Sequence, residues 1–195
     1  MISLSSTANA QFIGINADVA IDYSAAPSKV DGFSVGISHP APFIPNIRYS
    51  SVSFKDKETI TDSSDSTSSV LLETTTTIKT INFFYNVPFP VVTITVGFGL
   101  GGVETKTTIV ETFEGGTPKA QVTSDLEPSV SATEAFFHIG LPFWNTVEFH
   151  LGYHLMSFTS IDIASNKSGD AFEGNYNTKK NYSGGLTTIG VQVAF

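Results

Sequence analysis

The sequence predicts an all-β protein, an eight-stranded antiparallel up-and-down transmembrane β-barrel with short periplasmic turns and long extracellular loops. Three observations predict it. Apolar and polar residues alternate with a period of two along eight segments. The connections alternate in kind, long polar loops with short turns built of Pro and Phe. The polar face of the segments is mostly Gly, Ser, Thr and Asn with a few His, where a water-exposed sheet would carry Lys and Glu.

The first segment, Gln11–Tyr23, sets Ile13, Ile15, Ala17, Val19, Ile21 and Tyr23 on one face, against Asn16, Asp18 and Asp22. A loop with Pro27 follows. Gly32–Ser38 alternates Phe33, Val35 and Ile37 with Ser34 and Gly36. It ends at His39-Pro40-Ala41-Pro42-Phe43-Ile44-Pro45-Asn46, where prolines stiffen the connection. Ile47–Phe54 is the third strand, with Tyr49 and Arg48 on opposite faces. Lys55–Ser69, rich in Ser, Thr and Asp, reads as a mobile loop. Val70–Val87 is one tall strand with Ile81, Phe83, Tyr85 and Val87 opposite Thr80, Asn82, Phe84 and Asn86. Pro88-Phe89-Pro90 is a tight turn.

Val91–Val103 sets Val92, Ile94, Val96, Phe98 and Leu100 against Thr93, Thr95, Gly97, Gly99 and Gly101. Glu104–Val130 is polar and strand-prone, and reads as a hairpin reaching beyond the main sheet. Ser131–Leu141 and Thr146–Phe158 are the next strands, joined by Pro142-Phe143-Trp144-Asn145. Thr159–Gly184 reads as a polar loop, and Gly185–Phe195 is the last strand. An even count puts both termini at the short-turn end. A strand of ~10 residues rising ~3.3 Å each and tilted ~45° crosses an apolar band of ~25 Å.

Composition removes other classes. Only 14% of residues are charged, against a typical ~25%, yet no apolar run approaches the ~20 residues of a membrane helix. The net charge is −8 with the ten Lys and Arg scattered, so no nucleic-acid partner is expected. There is no Cys, hence no disulfide framework and no thiolate chemistry. Ala8-Asn9-Ala10 has the form of a signal-peptidase site. Residues 1–10 are therefore read as a signal-peptide remnant, and 11–195 as the barrel domain.

The terminal strand resembles the last strand of outer-membrane β-barrels of Gram-negative bacteria, which runs polar-x-Gly-x-x-apolar-x-aromatic. Thr188, Gly190, Val193 and Phe195 fill those slots. The resemblance implies a bacterial outer-membrane location and recognition of this strand by the barrel-assembly machinery. The segment His39–Arg48 resembles the second turn of a largely uncharacterised proteobacterial family of such barrels. That family implies a fold and a location but no activity. The alternative for the same alternation is a soluble secreted β-sandwich, which also has one apolar and one polar face.

In a barrel the apolar face meets lipid and the small polar residues fill the interior. Phe43, Tyr85, Phe89, Phe143 and Trp144 fall at the short-turn ends, where an aromatic girdle is expected. Glu134, His138, Glu148, His150 and His154 share the polar face of two neighbouring strands. One allowed register puts His138 beside His150 and Glu134 beside His154. Such a set could bind a metal or move protons. Buried charges in a narrow barrel must be paired, so an internal polar network accounts for the same residues, with Asp18, Asp22 and Arg48 joining it. No metal and no cofactor is called for.

His154 and Ser157 point to opposite faces, so no catalytic set emerges and the protein is expected not to be an enzyme. Asp62, Asp65, Asp162, Asp170 and Glu173 could hold calcium bridged to lipopolysaccharide, although scattered solvated carboxylates explain them as well. The leading expectation is a structural or loop-mediated role at the cell surface, with outer-membrane lipid and lipopolysaccharide as partners. A narrow channel for small solutes and a lipid-modifying enzyme are the alternatives, and homo-oligomer contacts through the loops stay open.

Overall fold

The computed structural model describes residues 13–41, 43–61, 69–112, 118–124, 130–144, 146–165 and 176–195. Its strands are β1 (Gly14–Tyr23), β2 (Asp31–Ser38), β3 (Asn46–Thr61), β4 (Ser69–Pro88), β5 (Thr93–Thr112), β6 (Pro118–Ser124), β7 (Val130–Trp144), β8 (Val147–Phe158), β9 (Ile161–Ser165), β10 (Tyr176–Lys180) and β11 (Gly184–Ala194). Eight of them close a ring in the order β1-β2-β3-β4-β5-β7-β8-β11, and β11 pairs back with β1. All pairings are antiparallel. A closed ring of this kind has no free sheet edge. It excludes the β-sandwich.

The ends meet as the even strand count requires. Gly14 lies opposite Ala194, and the Phe195 amide donates to the Ile13 carbonyl at 2.8 Å. The remaining strands lie beyond the barrel. β6 pairs with Thr107–Thr112 of β5, the predicted projecting hairpin. β9 and β10 form a separate two-stranded sheet inside the segment expected to be a polar loop. The expected loop at 55–69 is strand at both ends, because β3 runs on to Thr61 and pairs with β4 from Ser69. β3, β4 and β5 therefore stand taller than the opposite wall. The expected leader lies outside the described residues, as do Asp62, Asp65, Asp170 and Glu173.

Exposure follows the alternation. Phe33, Tyr49, Ile81, Phe83, Phe98, Phe137, Phe149 and Leu151 are all exposed, and their sequence neighbours on the other face are buried or, at Gly32 and Gly97, half-buried. One element breaks the parity. A β-bulge between Ala20 and Asp22 shifts the β1–β11 register, which turns Tyr23 inward and leaves Asp22 exposed. The expectation that Tyr23 faces outward and that Asp22 joins the internal network is corrected accordingly.

The interior has two parts. From the short turns to mid-height it is polar. Towards the loops it becomes an apolar cluster of Tyr23, Val52, Phe54, Ile78, Val103, Met156, Phe158, Tyr182 and Leu186. Tyr182, in the segment joining β10 to β11, covers this cluster from above. The Tyr23 hydroxyl donates to its carbonyl, its own hydroxyl donates to Asp56 at 2.7 Å, and Lys180 beside it reaches Glu58 at 2.7 Å and Asp56 at 3.3 Å. The short turns show the opposite chemistry. Segments 37–47, 83–103, 139–147 and 188–195 contain no Lys, Arg, Asp or Glu at all.

Candidate internal polar site

Seven of the eight barrel strands send a side chain into one cluster at mid-height. β1 supplies Asp18, β2 Ser34, β3 Arg48 and Ser50, β4 Thr80 and Asn82, β7 Glu134, Phe136 and His138, β8 His150 and His154, and β11 Thr188. β5 supplies room instead. A side chain at Gly97 would collide with the Phe136 ring, and one at Gly99 with Asn82. The Gly- and Thr-lined strand that suggested a bore is thus filled by its neighbours' side chains.

Asp18 is the hub. It accepts from Ser34 Oγ at 2.7 Å, Arg48 Nη1 at 3.1 Å and His150 Nε2 at 2.5 Å. Arg48 is only 2% exposed. Its guanidinium lies 4.0 Å from the Phe136 ring centroid, a cation–π contact made in a dry setting. Arg48 Nη1 also donates to His138 Nε2 at 3.2 Å. That nitrogen must then be an acceptor, so His154 Nε2, 3.1 Å away, donates to it. His154 Nδ1 faces Glu134 Oε1 at 2.5 Å, and the other Glu134 oxygen accepts from Thr80. One proton is thereby shared between His154 Nδ1 and Glu134.

The charges close. Arg48 balances Asp18, and the shared proton balances Glu134, so the set is neutral with every carboxylate hydrogen-bonded. Pairing offsets much of the cost of burying these ionic groups, while Arg48 Nε and Nη2 are buried with no hydrogen-bond acceptor among the described residues. His138 and His150 stack with centroids 4.9 Å apart, and Phe136 stacks on His154 at 5.1 Å.

The predicted contacts occur, but not in the predicted register. His138 lies opposite Gly152 and Glu134 opposite Met156, a slip of two residues from the expected pairing. A two-residue slip keeps the same face inward, and long side chains reach the diagonal neighbour. Glu148 is buried as expected but lies one interior step nearer the turns, where its carboxylate packs over Gly140. Below the cluster, Asn86 joins Thr95 at 2.7 Å and Gln192 at 3.4 Å.

Among the described residues Asp18, His138 and His150 have the donor chemistry for a metal. The geometry argues against it. Asp18 Oδ1 and His150 Nε2 are already in hydrogen-bond contact, and a guanidinium sits on the same carboxylate.

Sequence reasoning missed Ser34, Ser50, Thr80, Asn82 and Phe136 as members. Parity with Asp18, Arg48 and Glu134 was the available signal. Of the terminal-strand residues, Thr188 points inward with its hydroxyl 3.1 Å from His154 Nε2, and Phe195 is exposed. A side chain at Gly190 would meet Asp18 and His150, so this glycine makes space for the hub. At the turn end Phe43 is 92% exposed and Tyr85, Phe89 and Phe143 are exposed too. The Trp144 side chain lies outside the described residues.

No family model matches the chain, including any for the narrower family suggested by His39–Arg48, and no curated protein matches it. Among solved structures it is similar to Neisserial surface protein A, at 16% identity and a TM-score of 0.45 over 94% of this chain and 96% of that one. It is similar also to the N-terminal β-barrel domain of Pseudomonas aeruginosa OprF, at 12% identity and 0.43 over 94% and 96%. A third is Ail, the attachment invasion locus protein of Yersinia pestis, at 9% identity and 0.36 over 93% and 95%. The closed strand register, rather than these likenesses, establishes the fold.

Proposed function

We propose that the chain is an integral outer-membrane barrel of a Gram-negative bacterium, non-enzymatic and non-conducting, that acts at the cell surface through its loop end. One observation carries the reading: ionic groups are sealed inside while an unbroken band of large apolar side chains faces outward. In water that arrangement would forfeit the hydrophobic driving force. Against lipid it is the stable one.

Two features favour a closed interior over a channel. Arg48, His138 and His154 are almost inaccessible to water at mid-height, and Phe54, Ile78 and Leu186 are so above them. A water-wide bore would expose both layers. The lipid-modifying alternative needs reactive groups at the lipid boundary, whereas the His/Glu set faces inward and is spent on internal hydrogen bonds. The test is a comparison of boiled and unboiled protein on a detergent gel, followed by planar-bilayer recording. A heat-shifted band and no steady conductance are expected. Solubility without detergent would overturn the membrane reading, and steady conductance would overturn the closed interior.

A further inference from the structure

We propose that Glu148 anchors a site for an alkali cation, Na+ or K+, inside the turn-end mouth of the barrel. The inference goes beyond the surface role above and stands on the closed interior alone. Among the described residues three inward carboxylates are buried, those of Asp18, Glu134 and Glu148. Asp18 accepts three hydrogen bonds and Glu134 two. Glu148, only 7% exposed, has no hydrogen-bond or ion-pair partner among the described residues. A buried carboxylate without a donor is costly and calls for a counter-charge.

The strand register shows why the chain supplies none. Glu148 on β8 lies opposite Gln192 on β11, and Gln192 lies opposite Asn16 on β1. Gln192 is the nearest amide, but its nitrogen turns toward Gly14 on β1 and its oxygen accepts from Asn86 at 3.4 Å. The Glu148 side chain leans the other way, onto β7, where its carboxylate fills the place a side chain at Gly140 would take. Gly140 in turn lies opposite Thr93 of β5, which brings a buried hydroxyl to the same spot. Asn16 Oδ1 is also buried without a donor. Segments 83–103, 139–147 and 188–195, which frame this end, hold no Lys or Arg. The mouth therefore offers oxygens without matching N–H groups, which is the chemistry of a hard cation.

Charge selects the ion. Arg48 balances Asp18 and the shared proton balances Glu134, so Glu148 leaves the interior at −1. A monovalent ion brings it to zero, whereas a divalent ion would leave +1 in a dry setting. Calcium is also held as a rule by several carboxylates, and here there is one. Neutral amide and hydroxyl oxygens replace the hydration of an alkali ion well. Asn86 faces inward and is only half-buried, so water reaches this level from the turns. Arg48, above, repels a cation, and the mouth is a dead end.

The experiment unfolds the full chain in urea from maltoside micelles, in NaCl, KCl, MgCl2 or choline chloride at one ionic strength. Choline carries the same charge as Na+ but is too bulky for the site. For a Kd of about 20 mM, the folding constant of wild type should be about tenfold higher in about 0.2 M Na+ or K+ than in choline. Glu148→Gln keeps the size and removes the charge. It should fold with one constant in all four salts, no lower than that of wild type in choline. Gly140→Ala puts a methyl where the carboxylate lies, and should keep the heat-shifted band while losing most of the alkali response. Equal stabilisation by choline, or a full alkali response in Glu148→Gln, would overturn the site. So would Glu148→Gln being less stable than wild type in choline, because Glu148 would then have a partner within the chain. A larger effect of Mg2+ than of Na+ would overturn the monovalent assignment, and an unchanged response in Gly140→Ala would overturn the location.

Discussion

Asp18→Asn is the sharpest probe of the internal site. The substitution keeps the size of the side chain and removes its charge, which leaves the Arg48 guanidinium buried at 2% exposure without its counter-ion. Breaking a buried ion pair from one side costs about 3–5 kcal/mol, because the surviving charge is uncompensated. Arg48→Met should cost a similar amount by stranding Asp18. The double variant removes both charges together, and its thioether chain can still lie on Phe136, where the guanidinium now sits 4.0 Å from the ring centroid. It should therefore be less destabilised than the sum of the single variants by at least about 2 kcal/mol. Equilibrium urea unfolding in lipid vesicles, followed by the fluorescence of the single Trp, measures all four corners of the cycle. Single-variant losses below about 1 kcal/mol, or strict additivity, would refute the account of the cluster as a charge-balanced dry network.

Other outcomes follow from the same packing. Gly190→Val drives a side chain into Asp18 and His150, so refolding in pure detergent should yield little heat-shifted band, with no assembly machinery involved. Phe136→Ala removes the ring between Arg48 and His154 and should cost about 3–5 kcal/mol by urea unfolding, as for other buried aromatics. His138→Ala and His154→Ala should leave the lipid profile of expressing cells unchanged, checked by mass spectrometry. The Lys180 pKa is raised above 10.5, first by its hydrogen bond to Glu58 and also by Asp56. A raised value means the contact is complete below the unfolded pKa and is lost as pH climbs through the folded one. Hydrogen exchange at the Tyr182 amide, corrected for intrinsic rate, should thus stay flat from pH 6 to 9 and rise only in alkali beyond the ordinary lysine value of 10.5.

Much of the fold was legible because a membrane barrel writes one rule along every strand. Where Phe and Leu alternate with Gly and His, as in β8, the face of each residue could be read directly. The rule failed where residues of one kind fill both faces. Lys55–Glu58 of β3 is charged on both faces, so the upper part of that strand looked like loop. It gave no answer where the interior changes character, since Val52 and Phe54 are apolar yet share the inward parity of Arg48. The bulge after Ala20 has no signature in hydropathy. The two-residue slip between β7 and β8 could not be seen either, because any even shift preserves the buried face. Membership of the cluster was therefore recoverable from parity, but its hydrogen-bond pattern was not.

The uncharged turns give the molecule a direction. Dragging ionised side chains across hydrocarbon is the costly part of any unaided insertion, and among the described residues the Lys, Asp and Glu side chains outside the sealed interior lie toward the other end. Added to preformed vesicles, the chain should enter turns first and leave its loops on the side it came from. Protease supplied from outside should then clip nearly all molecules. A cell that delivers this protein from the periplasm, yet needs the loops at the surface, has to reverse that preference, which makes catalysed assembly a requirement of topology as well as of speed.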